Sequence, residues 1–234
     1  MKENIESKNI GNRKFIIELR YEPKVTMLDA KGALVEKIQE TNVFPYTHWE
    51  IGQSEVIIRD EKKKEDAHNV VWVTLNRISF ISYKINSVES FYANFIKVYD
   101  AIIKVLNQLT ITRIGCRIIG TYKSSSVDYK SVLKNFKDSF PANFLLDKYP
   151  AKDMLFNLTY QNGMYQIGPL DIDDDFYRRE FDLPDCNKHI GIAIDTDNYL
   201  TNELHQINDK SLIKDVYMLS LSVEKELYSN LMSF

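Results

Sequence analysis

The alternation of apolar and polar residues changes phase near Asn76, and this change predicts a β-hairpin. The apolar positions on its two sides have opposite parity: Val71, Val73 and Leu75 come before it, and Ile78 and Phe80 come after it. Successive side chains of a strand point to opposite faces, so one continuous strand would bury both faces in turn. A two-residue turn at Asn76-Arg77 avoids this, because it places Leu75 opposite Ile78 and puts Asn76 where a primed turn requires a positive φ.

A second hairpin is predicted at Asn162-Gly163, between the segments LFNLTY and MYQI. Asn followed by Gly is a strong turn signal, since both residues tolerate a positive φ. Another strand is predicted over 14–21, where apolar residues alternate with Glu18 and Arg20. These patterns indicate a protein built on antiparallel sheet.

Helices are predicted where apolar residues recur at helical spacing. The clearest one begins after Ser87 and continues for about six turns, with an apolar stripe made of Phe91, Tyr92, Phe95, Tyr99, Ile102, Ile103, Leu106 and Leu109. Thr26 and Asp29 resemble a capping box, which opens a helix ending near Glu40. The last helix is predicted over 211–232, with a buried stripe made of Leu212, Val216, Leu219, Val223, Leu227 and Leu231.

Together these elements predict an α+β fold in which helices pack on one face of antiparallel sheet. The first half reads β-α-β-β-β-α-β, with a single strand over 47–59, and the smaller β-rich second half is closed by the C-terminal helix. The predicted organisation comprises a polar N-terminal tail (1–13), an α+β half (14–122), a helical connector (123–153) and a second α+β half (154–234). The pattern leaves open whether the two halves share one sheet.

Composition limits the class of protein. A chain of 234 residues with 44% hydrophobic content can bury a substantial core, and its net charge of -3 gives no general attraction to nucleic acid or anionic lipid. The two cysteines lack a metal-binding spacing, and no apolar run approaches the roughly 18 residues of a membrane span. We therefore expect a cytoplasmic protein with free thiols, no cofactor and no membrane association.

Arg113 and Arg117 form the first candidate site, because they alternate with Gly115 on one face of a predicted strand. If this strand pairs with the first one, Glu18 and Arg20 lie on the same face and Glu18 bridges the arginines. Such arginines act either as a clamp for an anion or as a structural ion pair on the open face of a half-buried sheet. We prefer the structural interpretation, because paired charges are as often structural as functional.

Asp195 and Asp197 form a candidate metal site at the end of an apolar strand. Two carboxylates on one side of a strand end supply the hard oxygen ligands that Mg²⁺ and Mn²⁺ prefer. Aspartates also cap the turns that follow strands. We prefer this second interpretation, because the sequence offers neither a third ligand nor a phosphate loop.

Lys130, Lys134 and Lys137 share one face of a short middle helix and form a candidate nucleic-acid surface. A solvated helix face explains these lysines equally well. Asp128 and Asp138 lie nearby in the sequence and reduce the positive field of this surface.

Five segments follow one another along the chain in this order: KFIIELRYEP, VTLNRISFISY, a Tyr- and Phe-rich helix, TRIGCRIIGTY and IAIDTDNY. This order resembles that of a patchily distributed, largely uncharacterised family of prokaryotic cytosolic proteins. The most similar element is the R-I-G-x-R run that ends at Arg117, and the I-D-x-D run at Asp195 also matches. The family typically continues the first run with an aromatic residue and Ile-Asn, whereas this chain has Ile118-Ile119-Gly120. The resemblance implies a similar fold and no known reaction, and the patchy distribution implies mobile or defence-associated genes.

Three functions remain open. The first is a non-enzymatic cytosolic binding or regulatory module whose partner is another protein, which we prefer because no nucleophile, base and oxyanion set converges in the sequence. The second is a metal-dependent enzyme acting on phosphate esters, with Asp195 and Asp197 as ligands and Arg113 and Arg117 binding the anion. The third is a nucleic-acid-binding accessory protein that uses the lysines of the middle helix.

Overall fold

The computed structural model describes residues 5, 7–126, 128–139, 154–201 and 210–232. Nine strands and five helices lie within these residues, in the order β1 Ile10–Tyr21, α1 Lys31–Gln39, β2 His48–Ile51, β3 Glu55–Arg59, β4 Asn69–Thr74, β5 Arg77–Ser82, α2 Val88–Leu106, β6 Ile111–Lys123, α3 Tyr129–Ser139, β7 Phe156–Tyr160, β8 Gly163–Leu170, α4 Asp175–Glu180, β9 Gly191–Leu200 and α5 Lys210–Met232. None of the described helices is both long and apolar enough to span a bilayer.

The strands described form one nine-stranded antiparallel sheet with the order β2-β3-β4-β5-β1-β6-β9-β8-β7. The predicted α+β class, with a helix closing the chain, is therefore confirmed. The chain also divides into two compact units. The first unit comprises 1–14, 118–197 and 220–234, and the second comprises 15–117 and 198–219. The division into halves around a connector stays a prediction, and residues 127 and 140–153 of that connector lie outside the described residues.

The core of the second unit lies between its strands and helices α1 and α2. The buried face of β1 consists of Phe15, Ile17, Leu19 and Tyr21, as its alternation predicts. Phe91 of α2 lies 5.4 Å from Phe15 and 5.2 Å from Phe80 between ring centroids, so α2 covers this face. Ser87 caps α2 through a reciprocal pair of 3.0 Å hydrogen bonds with Ser90, which explains why this helix begins where the sequence predicts.

The core of the first unit is rich in aromatic residues. Tyr122 of β6 and Tyr228 of α5 have ring centroids 4.9 Å apart, and Phe136 of α3 lies 5.5 Å from Phe156. Ile167, Ile192 and Ile194 complete the same buried cluster. Helices α3 and α5 therefore pack through aromatic rings onto strands of this unit.

Both hairpin turns lie one residue earlier than predicted. Val73 pairs with Ile78, so the first turn consists of Leu75 and Asn76, and Asn76 does not have a positive φ. The reason lies in the neighbouring segment after β1, because the carbonyls of Leu75 and Asn76 accept hydrogen bonds from the backbone N–H groups of Lys24 and Tyr21. The register changes by two residues, so each side chain keeps its predicted face.

The second hairpin follows the same correction. Tyr160 pairs with Gly163, and the turn consists of Gln161 and Asn162 rather than Asn162 and Gly163. The positive φ of 49° occurs at Gln161. The Asn-Gly pair therefore marks the hairpin but not its central residues.

Two further predictions about local structure are wrong. The strand predicted over 47–59 breaks near Gly52, whose N–H donates to the carbonyl of Glu55, and becomes the hairpin β2-β3. Helix α1 has Ala30 as its N-cap, so Thr26 and Asp29 do not form a capping box for it. The segment before α1 instead forms a short 3-10 turn over 25–27.

The buried face of helix α5 agrees only in part with the predicted one. Val216 is buried and Leu227 and Leu231 pack against the core of the first unit, as predicted. Leu219 is 47% exposed, whereas the buried positions are Ile213, Val216, Tyr217, Ser220, Glu224 and Tyr228. Two polar residues belong to this buried stripe, and the prediction ignored them because it followed leucine and valine alone. The apolar pattern therefore placed the helix correctly along the chain but misplaced the centre of its buried face.

Candidate functional site

The most highly charged group of contacts in the second unit surrounds Glu18 on β1. Arg20 of β1 lies directly opposite Arg77 of β5, and Glu18 lies opposite Ser79. Like charges directly opposite each other in a sheet repel. Glu18 offsets this repulsion because its carboxylate contacts both arginines, and Arg113 of β6 contacts it as well. We call Glu18, Arg20, Arg77 and Arg113 the arginine cluster.

The contacts of the Glu18 carboxylate differ in length. Arg20 Nε lies 2.8 Å from Oε1, and Arg113 Nη1 lies 3.4 Å from the same oxygen. Ser79 Oγ donates to Oε2 over 3.3 Å, and Arg77 Nη1 lies 3.7 Å from Oε2. One contact therefore has the length of a strong charge-assisted hydrogen bond, about 2.7–2.9 Å, and the other three are longer.

Aromatic rings hold two of these arginines in place. The guanidinium carbon of Arg77 lies 4.0 Å from the centroid of Trp72, and that of Arg113 lies 4.9 Å from the centroid of Tyr199. Trp72 is itself fixed, because its indole N–H donates to Glu55 over 2.8 Å. Stacked guanidiniums keep their planar donor edges available for a carboxylate or a phosphate.

The arginine cluster contains more donors than Glu18 can satisfy. Within the described residues, Glu18 is the only carboxylate that forms an ion pair with Arg20 or with Arg77. The Nε of Arg77 is buried and has no hydrogen-bond partner there. The side chain of Arg20 is 54% exposed, compared with 17% for Glu18, so the cluster is reached from solvent at Arg20.

The sequence predicts part of this arrangement. Strand β6 lies beside β1 and Arg113 contacts Glu18, so the predicted contact of Glu18 with this arginine is confirmed, whereas a bridge from Glu18 to Arg117 stays a prediction. Arg117 is half-buried and follows Gly115 on the face of β6 that carries Arg113. Sequence reasoning missed Arg77, together with Trp72 and Tyr199. Only the β1-β5 register, which places two like charges opposite each other, would have identified Arg77.

Asp195 and Asp197 lie inside a strand and not at its end. Strand β9 extends to Leu200, so both aspartates precede its last residues, which corrects the prediction of a strand-end pair. Asp195 is buried and Asp197 is half-buried. Among the described residues, no group of three or more His, Cys, Asp or Glu side chains is arranged to hold a metal ion. Both aspartates belong to the first unit, whereas Arg113 belongs to the second.

The lysines of the predicted nucleic-acid surface lie on α3 in the first unit. Lys130 and Lys134 are exposed and Lys137 is half-buried. Lys134 forms an ion pair with Asp138 at 2.7 Å, and this hydrogen bond raises the pKa of Lys134. Hydrogen bonds from Ser131 lower the pKa of Asp128 at the start of the helix. Acidic groups therefore lie close to the lysines, as the sequence predicts.

A second polar cluster, in the first unit, is largely buried. Glu224 of α5 is 1% exposed and accepts hydrogen bonds from Arg13 at 3.0 Å and 2.5 Å. The Tyr122 hydroxyl donates to the same carboxylate. Burial, together with the charge of Glu224, raises the pKa of Tyr122 well above its ordinary value, so its hydroxyl stays protonated. The cluster is largely shielded from solvent and ties α5 to β1 and β6.

No protein-family model matches this chain, and a search of curated proteins finds no relative.

Proposed function

We propose that this protein is a non-enzymatic binding or regulatory module of a prokaryotic cytoplasm, and that it binds another protein through the arginine cluster. One observation carries the proposal: Arg20 and Arg77 lie opposite each other on neighbouring strands, and among the described residues they share the single carboxylate of Glu18. The resemblance to prokaryotic cytosolic proteins supports the same setting, and association with mobile or defence genes belongs to this proposal.

The chemistry of the arginine cluster suits acidic side chains of a partner. Each guanidinium presents five N–H donors in a planar fork, and this fork matches the two oxygens of a carboxylate. In the part of the chain that the structure describes, Arg77 retains a buried donor without an acceptor, and the side chain of Arg20 is exposed. An acidic segment of another protein supplies the missing acceptors.

A protein partner is favoured over nucleic acid by the positions of the aromatic rings. Single-stranded nucleic acid is held largely by bases that stack on aromatic side chains. Arg77 lies over Trp72 and Arg113 lies over Tyr199, so a guanidinium already occupies one face of each ring. The net charge of -3 also gives no general attraction to a phosphate backbone.

The proposal is tested with a fluorescein-labelled decaglutamate peptide. The protein is titrated into the peptide at about 20 mM and about 300 mM salt, and binding is measured by fluorescence anisotropy. We expect binding at low salt that Arg20→Ala and Arg113→Ala each weaken roughly tenfold, because a hydrogen bond to a charged group contributes about 1.5–3 kcal/mol. Arg178→Ala is the matched control, since it removes the same charge from an exposed position on α4. Equal weakening by all three variants would show that only total charge matters.

The two alternatives are tested on the same protein. The first alternative is tested with a single-stranded oligothymidylate. The nucleic-acid function would be favoured if the protein binds it more tightly than the peptide and if Lys130→Ala and Lys134→Ala each lower the affinity for it. Millimolar Mg²⁺ or Mn²⁺ should leave the melting temperature unchanged, because a ligand stabilises only the state that it binds. If metal raises the melting temperature and Asp195→Ala abolishes this rise, the result would favour the enzyme acting on phosphate esters.

A further inference from the structure

We propose that Glu18 is an internal competitor for the ligand of the arginine cluster: its carboxylate occupies the position that a carboxylate of the partner takes on binding. This inference rests on the proposed function and names the event by which the partner is bound. The ligand is an acidic segment with several neighbouring carboxylates, and it displaces the Glu18 side chain from the guanidiniums.

Glu18 fits the arginine cluster loosely. Among the residues that the structure describes, its only short contact is with Arg20, at 2.8 Å, and this arginine follows it on the same face of the same strand. The contacts with the residues on the adjacent strands, Ser79, Arg77 and Arg113, measure 3.3, 3.7 and 3.4 Å. Charge-assisted hydrogen bonds gain most of their strength at about 2.7–2.9 Å. A ligand carboxylate placed between the strands improves these three contacts.

Arg20 and Arg77 offer more N–H donors than Glu18 has acceptor sites. One carboxylate has two oxygens with about four lone-pair sites, whereas Arg20 and Arg77 alone offer about ten N–H groups. Arg77 Nε is buried and has no hydrogen-bond partner among the described residues. A buried donor of this kind costs free energy until an acceptor reaches it. The arginine cluster is therefore built for more anionic oxygen than Glu18 provides.

A ligand needs several carboxylates to displace Glu18 from the arginine cluster. Glu18 is attached to the same strand as Arg20, so its effective concentration at the cluster is high, on the order of millimolar or above. A single carboxylate in solution competes poorly with such a group. A segment that presents several carboxylates gains by multivalency, and it can contact Arg20, Arg77 and Arg113 at the same time.

The test replaces the competitor while keeping its shape. Glu18→Gln retains the size of the side chain and one oxygen acceptor, but it removes the charge that holds the guanidiniums. We expect this variant to bind labelled decaglutamate about fivefold to tenfold more tightly than the wild type at about 20 mM salt. Glu36→Gln is the matched control, because it removes the same charge from an exposed position on α1 and should change the affinity less than about twofold.

Glu18→Gln also weakens the bridge between Arg20 and Arg77, so its folding is checked by denaturant unfolding at the titration temperature. Glu18→Asp is the second variant, since it keeps the charge but shortens the reach of the carboxylate. We expect its affinity for decaglutamate to lie between those of the wild type and Glu18→Gln. This variant decides the question if Glu18→Gln does not fold.

The outcomes separate the inference from the proposed function. If the wild type binds decaglutamate and Arg20→Ala weakens it, but neither Glu18 variant binds more tightly, Glu18 is a structural bridge and the inference is overturned while the proposed function stands. If the wild type and both Glu18 variants fail to bind at low salt, the proposed function fails as well. If Glu36→Gln gains as much affinity for decaglutamate as Glu18→Gln does, the effect is one of total charge, and this result would also overturn the inference.

Discussion

Arg13 and Glu224 form a buried ion pair although 211 positions separate them in the chain. Arg13 is in β1 and Glu224 is in α5, and their side chains are only 10% and 1% exposed. Both oxygens of Glu224 accept hydrogen bonds from the guanidinium, and the Tyr122 hydroxyl donates to one of them. A first strand and a last helix are thus joined inside one unit by charge rather than by apolar packing alone.

Removing the carboxylate should destabilise the protein strongly. Glu224→Ala leaves Arg13 buried without its acid partner, and breaking a buried ion pair in this way costs about 3–5 kcal/mol. Urea unfolding of the variant and the wild type measures the loss. The matched control is Glu226→Ala on the exposed side of the same helix, which should change the unfolding free energy little. Similar losses in the two variants would contradict the assignment of the buried face of α5.

Gly191→Ala should be destabilising because the added methyl has no room. A Cβ atom at Gly191 would overlap the carbonyl oxygen of Tyr122, which is backbone and cannot move aside without disturbing β6. Overpacking typically costs about 1–3 kcal/mol and occasionally more. Gly32→Ala is the control, since nothing lies near its Cβ position and alanine is favoured over glycine within a helix by about 0.5–1 kcal/mol. Thermal unfolding should therefore move in opposite directions for the two variants.

The faces of the strands could be predicted from the sequence because alternation is a local property. Phe15 and Ile17 are buried as their parity requires. The hairpin turns could not be predicted to the residue, because Leu75 and Asn76 are held by hydrogen bonds from Lys24 and Tyr21 outside the hairpin. Local patterns contain no information on such contacts.

The candidate site was predictable only in part, for the same reason. Glu18 and Arg113 interrupt apolar strands at matching positions, and this pattern is visible in the sequence. The position of Arg77 depends on the register between β1 and β5, and the burial of Glu224 depends on a partner 211 positions away. A charged residue in a helix is predicted to be exposed to solvent unless a buried partner for it is known.

Stability should fall in mild acid through His189. Burial lowers the pKa of His189 below its ordinary value of 6.5. The hydrogen bond that Nδ1 donates to the Asn187 carbonyl raises this pKa, and the positive charge of Lys123 lowers it. Its Nε2 is buried without a partner among the described residues, so a proton there would find no acceptor. Below about pH 6.5, the folded state therefore binds fewer protons than the unfolded state. The stabilisation is complete above that pH and is lost as the pH falls toward the lowered pKa.

The measurement is the urea midpoint at pH 7.5 and pH 5.5 for the wild type and His189→Gln, two conditions chosen to lie about one unit on either side of the ordinary histidine pKa. The wild type should lose more stability between the two conditions than the variant, because the variant has no group to protonate at this position. Equal losses would assign the acid sensitivity to other groups.

Phe95→Ala should destabilise this protein far more than Lys134→Ala. Phe95 is fully buried in the middle of α2, with its ring centroid 6.2 Å from those of Phe80 and Tyr99, so truncation leaves a cavity beneath the helix and costs about 3–5 kcal/mol. Lys134 is 74% exposed, and among the residues described it pairs only with Asp138 on its own helix, so its removal should leave the unfolding free energy unchanged within the error of measurement. Urea unfolding of both variants provides the comparison. Comparable losses would show that the buried face of α2 or the exposed face of α3 is wrongly assigned, because solvated side chains contribute little to stability.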